Sequence, residues 1–160
     1  MATVSNNALK VGDKAPAFSL AADDGGEASL SGLRGKTVVL YFYPKDDTSG
    51  CTAEAIAFSA HAKAFKQAGA VVIGISKDSV ASHEKFKAKH RLLVTLAADE
   101  DTRIAQAYGV WGEKSMYGRK YMGIERATFL IDGNGVIQKI WRKVKVPGHA
   151  DEVLAAVKAL

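Results

Sequence analysis

The sequence is poor in residues that cross-link a chain. It contains one cysteine, Cys51, and three prolines among 160 residues. A single cysteine cannot form an intrachain disulfide, and the four histidines have no cysteine partner at zinc-finger spacing. These shortages exclude a disulfide scaffold and a structural zinc site. We therefore expect a protein that needs neither a metal nor another cofactor.

Long apolar runs are also missing. No stretch approaches the roughly 20 residues of a membrane span, and the opening MATVSNNALK has neither the basic nor the apolar region of a secretory signal. We expect a cytoplasmic protein that does not enter a membrane. Its 48% hydrophobic and 24% charged residues are typical of a globular chain, and its length suits a single domain over residues 1–160.

Basic residues outnumber acidic ones, 22 to 17, for a net charge of +5. Residues 113–149 hold 8 basic and 3 acidic residues, whereas residues 1–112 hold 13 and 12. Such a stretch either attracts an acidic partner or is a solvated face. Because it lacks a repeated pattern of basic and aromatic residues, we expect no nucleic-acid partner.

Hydrophobic patterning predicts alternating strands and helices in the first two thirds of the chain. A β-branched run ended by Pro44 indicates a buried strand, and an alanine-rich segment with Phe58 and Phe65 seven apart indicates a helix. The predicted elements are strands at Thr37–Tyr43, Ala70–Ser76 and Val94–Ala97, helices at Thr52–Ala68 and Ser79–His90, and a helical turn at Asp101–Tyr108.

The last third of the chain changes to a hairpin and a helix. The predicted elements are strands at Ala127–Asp132 and Val136–Trp141, joined by Gly133-Asn134-Gly135, and a helix at His149–Leu160. The order β-α-β followed by β-β-α predicts a thioredoxin-like α/β fold, with a central mixed sheet flanked by helices. Thr3–Leu33 would add an N-terminal hairpin to that core, and Val80–Gln106 a second insertion.

The segment Gly109–Glu125 fits no predicted element. It either walls a pocket or is an ordinary surface excursion, and its large side chains are Trp111, Met116, Tyr117, Tyr121 and Met122. The histidines show no ligand spacing with carboxylates, so we expect them to be exposed or to cap helices. They are His61, His83, His90 and His149.

Cys51 is the candidate functional residue. It lies where the first predicted core strand gives way to the first long helix, and the unpaired N–H groups of a helix N-terminus favour a thiolate over a thiol. A free cysteine is more often a small buried hydrophobe. The preceding turn, Asp46–Gly50, is polar, and Gly50 allows close backbone approach, so a chemical role is favoured here.

The segment Pro44-Lys45-Asp46-Asp47-Thr48-Ser49-Gly50-Cys51 resembles the peroxiredoxin motif, which is proline, three residues, threonine, two residues and cysteine. The resemblance extends to Glu54 and to Arg126, and it covers roughly Leu9 to the C-terminus. Tyr41–Lys45 and Arg126–Asp132 are similar in particular to the bacterioferritin comigratory protein or peroxiredoxin Q branch.

The resemblance implies a thiol-specific peroxidase that reduces hydrogen peroxide and organic hydroperoxides through a cysteine sulfenic acid. The Thr48 hydroxyl, the Cys51 N–H and the Arg126 guanidinium would bind the peroxide, Pro44 would shield the sulfur, and Glu54 would orient Arg126. Ionisation alone is not enough, because a free thiol is already about 3% thiolate at pH 7 and full ionisation gains only about thirtyfold. Bound donors must supply the rest.

Each of these residues also has an ordinary structural interpretation. Thr48 could cap the helix, Pro44 could end the strand, Glu54 could be a first-turn acid, and Arg126 could be a surface strand residue. Their joint occurrence around Cys51 favours the site. Two other functions stay open, a monothiol disulfide-exchange protein and a catalytically silent binding module, although disulfide exchange leaves Thr48 and Arg126 without a task.

The sequence departs from the family where a second, resolving cysteine would lie. One group of the branch has it five residues after the first cysteine, at the position of Ile56, and another about 36 residues after it, at the position of Lys87. We therefore expect a one-Cys enzyme, a monomer or weak dimer, reduced by an external thiol such as thioredoxin, glutaredoxin or a small thiol. Without that reductant, the sulfenic acid is exposed to further oxidation.

Overall fold

The computed structural model describes residues 8–160. Its strands are β1 (Ser19–Ala21), β2 (Glu27–Ser29), β3 (Thr37–Phe42), β4 (Ala70–Ser76), β5 (Thr95–Ala98), β6 (Trp111–Met116), β7 (Arg119–Ile124), β8 (Ala127–Ile131) and β9 (Ile137–Trp141). Its α-helices are α1 (Ser49–Ala60), α2 (Ala62–Gln67), α3 (Val80–His90), α4 (Arg103–Ala107) and α5 (His149–Lys158), and a short 3-10 helix spans Ser31–Leu33. Among these described residues, no helix is long and apolar enough to cross a membrane.

Five strands form the central sheet, in the order β5-β4-β3-β8-β9. Strands β3, β4 and β5 run parallel, whereas β8 and β9 are antiparallel to their neighbours. The predicted mixed sheet and its β-α-β, β-β-α order are therefore confirmed. The predicted turn also holds, since the Asp132 N–H donates to the Val136 carbonyl at 2.9 Å.

Strand β3, the middle strand of the sheet, is buried on both faces. Strand β3 alternates between two apolar layers, with Val39 and Tyr41 in one and Leu40 and Phe42 in the other. Helices α1, α2, α3 and α5 contribute to the first layer, and α4 and the N-terminal segment contribute to the second. Burial of both faces explains why the sequence of β3 reads as a continuous apolar run.

The predicted N-terminal addition contains an antiparallel hairpin, β1 with β2. Asp23 attaches the hairpin to the sheet, because its N–H donates to the Leu96 carbonyl at 3.0 Å and its Oδ1 accepts the Leu96 N–H at 3.0 Å. The part of the predicted addition at residues 3–7 lies outside the described residues. The second addition carries α3, β5 and α4.

The single helix predicted at Thr52–Ala68 is wrong in two respects. The helix begins three residues earlier, at Ser49, and it breaks at His61, whose φ of −102° and ψ of 11° are not helical. The break left no mark on the hydrophobic pattern, because Phe58 and Phe65 on its two sides are both buried in the same layer.

The segment predicted as the loop Gly109–Glu125 is instead an antiparallel hairpin, β6 with β7. Tyr117 and Gly118 form its turn with φ values of 52° and 78°, a left-handed pair that suits a tight hairpin. Only Ile124 at its base is buried among the two strands. Without a buried face, the hairpin has no apolar alternation for a sequence analysis to detect.

The prediction that all four histidines are exposed or capping is wrong for two of them. His83 is fully buried against Asp46, and His149 is buried with its Nε2 2.8 Å from the Thr128 hydroxyl. Side-chain hydrogen bonds make this burial possible. His61 and His90 are partly exposed, and His61 occupies the C-cap position of α1, as predicted.

Gly74 should tolerate no side chain. A Cβ there would lie 2.6 Å from the Tyr41 ring, which is buried and stacks on Phe58. We expect Gly74→Ala to lower the free energy of unfolding by about 1–3 kcal/mol, measured by urea denaturation. Gly112→Ala is the matched control, because nothing lies within 4 Å of its Cβ. Equal stability of the two variants would contradict this packing.

Candidate active site

The register of the sheet brings Arg126 to the loop that follows β3. Phe42 and Ala127 are paired across β3 and β8, so the residues just beyond them leave the sheet at the same edge. Residues 43–48 connect this edge to α1, which carries Cys51 in its first turn. The sheet therefore places Arg126 beside the N-terminus of α1.

Cys51 is nearly inaccessible, with 1% of its surface exposed. It belongs to the same apolar layer as Tyr41 and Phe58. The first hydrogen bond of α1 runs from the Thr52 N–H to the Thr48 carbonyl at 2.8 Å, so Cys51 lies at the positive end of the helix dipole. The sulfur thus combines apolar packing with a position at a helix N-terminus.

Arg126 contacts both Cys51 and Glu54. Its Nη2 donates to the Cys51 Sγ at 3.4 Å, and its Nη1 donates to Glu54 Oε1 at 2.7 Å. Residues three apart lie on one face of a helix, which explains how one guanidinium reaches both. The two contacts hold the guanidinium against the first turn of α1.

Glu54 is as deeply buried as Cys51. Burial raises the pKa of Glu54 to about 7, although the charge and the hydrogen bond of Arg126 oppose the shift. Glu54 Oε2 has no hydrogen-bond partner in the part of the chain that the structure describes. For Arg126, burial lowers the pKa, but Glu54 and Cys51 outweigh burial and raise it, so the guanidinium stays charged.

Gly50 leaves room for this arrangement. A Cβ at position 50 would lie 3.1 Å from Arg126 Nη2, closer than an ordinary van der Waals contact. The predicted close approach at Gly50 is therefore the approach of the guanidinium to the helix start. Any larger side chain would push Arg126 away from the sulfur.

Thr48 and Pro44 frame the loop before Cys51. Thr48 has extended backbone angles and occupies the N-cap position, but its side chain makes no capping hydrogen bond. Its hydroxyl instead donates to the Lys45 carbonyl at 2.8 Å, and the residue is exposed. Pro44 is partly exposed at the start of the loop. Peroxide binding by Thr48 and shielding by Pro44 stay predictions.

Two residues near the site were missed by sequence analysis. Burial raises the pKa of Tyr41, and the negative charges of Glu54 and Cys51 add to the shift. Burial lowers the pKa of Lys114 on β6, and the positive charge of Arg126 lowers it further. The tip of the hairpin is a surface excursion, with Tyr117 almost fully exposed. Tyr41 was detectable as part of the strand before the motif, whereas Lys114 carried no signal.

Over residues 8–160, no group of three or more histidine, cysteine, aspartate or glutamate side chains is arranged to hold a metal ion. The side chains gathered at Cys51 are a thiol, a guanidinium and one carboxyl group. This set can stabilise an anion at sulfur and bind a small polar molecule beside it.

Comparison with known proteins identifies the class. The AhpC/TSA family matches residues 11–140, and the chain belongs to that family. It is 48% identical to peroxiredoxin Bcp of Bacillus subtilis, over 94% of this chain and 96% of the relative. It is 43% identical to peroxiredoxin Bcp of Escherichia coli, over 95% and 97% of the two chains.

Solved structures agree with these relatives. The bacterioferritin comigratory protein of Xanthomonas campestris superposes with a TM-score of 0.84 at 46% identity, covering 89% of this chain and 90% of that one. A variant of peroxiredoxin Q from Xylella fastidiosa superposes with a TM-score of 0.89 at 41% identity, covering 94% and 96%. The predicted thioredoxin-like fold is confirmed.

The protein is a thiol-dependent peroxidase that reduces peroxides through its cysteine, as predicted. It is of the one-Cys type, because its sequence has no second cysteine. In the Xanthomonas campestris protein, two cysteines 36 positions apart have each been replaced by serine. The position 36 residues after Cys51 is Lys87, whose Nζ pairs with Asp23 Oδ2 at 2.9 Å. An ion pair to the N-terminal hairpin thus stands where a second thiol would be.

Glu54→Gln tests the buried carboxyl group. The folded protein holds the Glu54 proton up to about pH 7, whereas the ordinary pKa is 4.5. The wild type must therefore lose stability relative to this variant as the pH rises from 4.5 to 7, by up to about 3 kcal/mol. Urea denaturation at pH 5 and pH 8 measures the change.

The exposed carboxylate of Glu84 provides the control. Glu84→Gln should change stability by less than about 0.5 kcal/mol at either pH. A stability difference between wild type and Glu54→Gln that is the same at both pH values would show that Glu54 is not held protonated in the folded state.

Proposed function

We propose that Cys51 is the residue that attacks the peroxide and that Arg126 activates it. The contact of one guanidinium with both the sulfur and Glu54 carries this proposal. A charged donor 3.4 Å from the sulfur favours the thiolate before the reaction. The same donor is positioned to stabilise negative charge as the O–O bond breaks.

The proposed step is a two-electron transfer. The Cys51 thiolate attacks the terminal oxygen of the hydroperoxide, the S–O bond forms, and the O–O bond breaks. The sulfur is oxidised to a sulfenic acid, and the leaving oxygen takes up a proton to become water or an alcohol. No metal or organic cofactor takes part in this step.

In this proposal, the other predicted site residues assist the attack on the peroxide. The Thr48 hydroxyl and the Cys51 N–H hold the peroxide oxygens, and Pro44 keeps water from the sulfur. Glu54 fixes one arm of the Arg126 guanidinium, and Gly50 leaves space for the other. The exposed position of Thr48 and the close approach at Gly50 are consistent with these roles.

An external thiol completes the proposed cycle. It condenses with the sulfenic acid of Cys51, releasing water and forming a mixed disulfide, and a second thiol then releases Cys51. Thioredoxin, glutaredoxin and small thiols all supply this chemistry. Because Cys51 is almost fully buried, the turn that carries it must open to admit a protein thiol.

We further propose that the enzyme works in the cytoplasm as a monomer or weak dimer. Among the described residues, four of the eight large exposed apolar side chains lie on the β6–β7 hairpin, and the others, such as Ile56 on α1 and Leu93 before β5, stand singly on other elements. Single exposed apolar side chains are normal for a monomer, and the small group on the hairpin offers at most a weak contact between copies. A reducing compartment suits an enzyme that depends on external thiols.

Intact-mass measurement after peroxide treatment tests the proposal. One equivalent of hydrogen peroxide should add one oxygen to Cys51, and excess peroxide without a thiol should add about two. Addition of a thiol after the first equivalent should restore the original mass. In Cys51→Ser, no oxygen should be added at this position. An unmodified Cys51 after one equivalent at neutral pH would contradict the proposal.

A further inference from the structure

A buried polar cluster lies on the side of the active-site loop that faces α3. We call it the loop anchor, and it consists of Tyr43, Asp46, Ser82 and His83. His83 Nδ1 lies 2.7 Å from Asp46 Oδ2, and the Ser82 hydroxyl donates to the same oxygen at 2.8 Å. The Tyr43 hydroxyl donates to Asp46 Oδ1 at 2.6 Å. Both carboxylate oxygens of Asp46 are therefore engaged by fixed elements of the fold.

The surroundings of His83 require a ring that donates at both nitrogens. Nε2 lies 3.0 Å from the Ala97 carbonyl oxygen of β5, which can only accept, and Nδ1 faces the Asp46 carboxylate. Burial lowers the pKa of His83, but the hydrogen bond and charge of Asp46 outweigh burial and raise it. His83 and Asp46 are thus a buried hydrogen-bonded pair that joins the loop to α3 and β5.

The backbone of Asp46 is held as firmly as its side chain. The Asp46 N–H donates to Asp78 Oδ2 at 2.8 Å, and that oxygen also accepts the Ser76 hydroxyl at 2.6 Å. The next residue, Asp47, has a φ of 60°, a strained value for a non-glycine residue. Strained backbone persists only where its surroundings fix it. The loop anchor supplies that constraint on one side.

The fixed turn is the one that ends at Thr48 and Cys51. Only Asp47 separates Asp46 from Thr48. The Thr48 hydroxyl donates to the Lys45 carbonyl within the same turn. Arg126 holds the other side of the turn through its contact with Cys51. None of the loop-anchor side chains contacts the Cys51 sulfur through a described hydrogen bond, so the most direct link from Asp46 to Cys51 is the backbone between them.

We propose that Asp46 and His83 are positioning residues for peroxide reduction, which hold the turn so that the Thr48 hydroxyl faces the peroxide beside Cys51. This inference rests on the proposed role of Thr48. Loss of the pair lets the Thr48 turn relax while Cys51 keeps its contact with Arg126. Loss of the pair therefore slows the reaction of Cys51 with peroxide more than it slows the reaction of the thiolate with a reagent that needs no bound peroxide.

His83→Gln and Thr48→Val, singly and combined, test the inference. Each variant is reacted with hydrogen peroxide in a stopped-flow instrument and, separately, with iodoacetamide, which needs the thiolate but no bound peroxide. We expect His83→Gln to lower the peroxide rate constant about 10-fold and the alkylation rate constant less than about 3-fold. In the Thr48→Val background, the same change should lower the peroxide rate less than about 2-fold, because the two residues act through one turn.

His61→Gln is the matched control. It removes a second histidine-aspartate pair, His61 with Asp151, which lies at the far end of α1 and is partly exposed. Both rate constants should stay within about 2-fold of wild type in this variant. Tyr43→Phe is the milder test, used if His83→Gln does not fold, because it removes only the hydroxyl that donates to Asp46 Oδ1 and lies 3.4 Å from His83 Nδ1. It should show the same selective loss, about 3-fold for peroxide.

The outcomes separate the inference from the proposed function. Equal slowing of both reactions by His83→Gln, or an equal loss with and without the Thr48 hydroxyl, would overturn the inference. Thr48→Val slowing the peroxide reaction while His83→Gln leaves it unchanged would also overturn it, with the role of Thr48 intact. An unchanged peroxide rate in Thr48→Val would instead refute the role of Thr48 on which the inference rests.

Discussion

The arrangement of the site depends on one guanidinium that serves two buried acceptors. Arg126 contacts the Cys51 sulfur with one nitrogen and Glu54 with another. Removing one partner of a buried pair is costly, about 3–5 kcal/mol, because the remaining charge stays out of water. The antiparallel register of β3 and β8, the start of α1 at Ser49 and the missing side chain at Gly50 together bring these three groups into contact.

Glu54 gives this small site a second property. Next to one cation stand two groups that can carry negative charge, a thiol and a carboxyl group, and burial disfavours charging both. Burial raises the pKa of Glu54 to about 7, and the charge and hydrogen bond of Arg126 oppose the rise. The active-site turn is thus held electrostatically on its Arg126 side and by the His83 and Asp46 pair on its α3 side. The ion pair of Lys87 with Asp23 additionally joins α3 to the N-terminal hairpin.

Sequence analysis succeeded where burial is continuous and failed where it is not. Strand β3 was predictable because it is apolar throughout, and a helix after the polar turn was predictable too, although its start at Ser49 was placed three residues too late. The hairpin β6 with β7 was not predictable, since its strands have almost no buried face. His83 could not be assigned to the loop, because its partner Asp46 is 37 residues away in the sequence. Its position one turn before the buried Phe86 was the only available signal.

The central claim is that the Arg126 guanidinium activates Cys51 and stabilises the reacting peroxide. The most direct measurement is the second-order rate constant of Cys51 with hydrogen peroxide at pH 7 in Arg126→Ala. We expect a loss of at least about 100-fold, the effect of removing one preorganised donor. Arg142→Ala, which breaks the pairing with Glu125 instead, should react within about 2-fold of wild type. A rate constant for Arg126→Ala that matches this control would contradict the account.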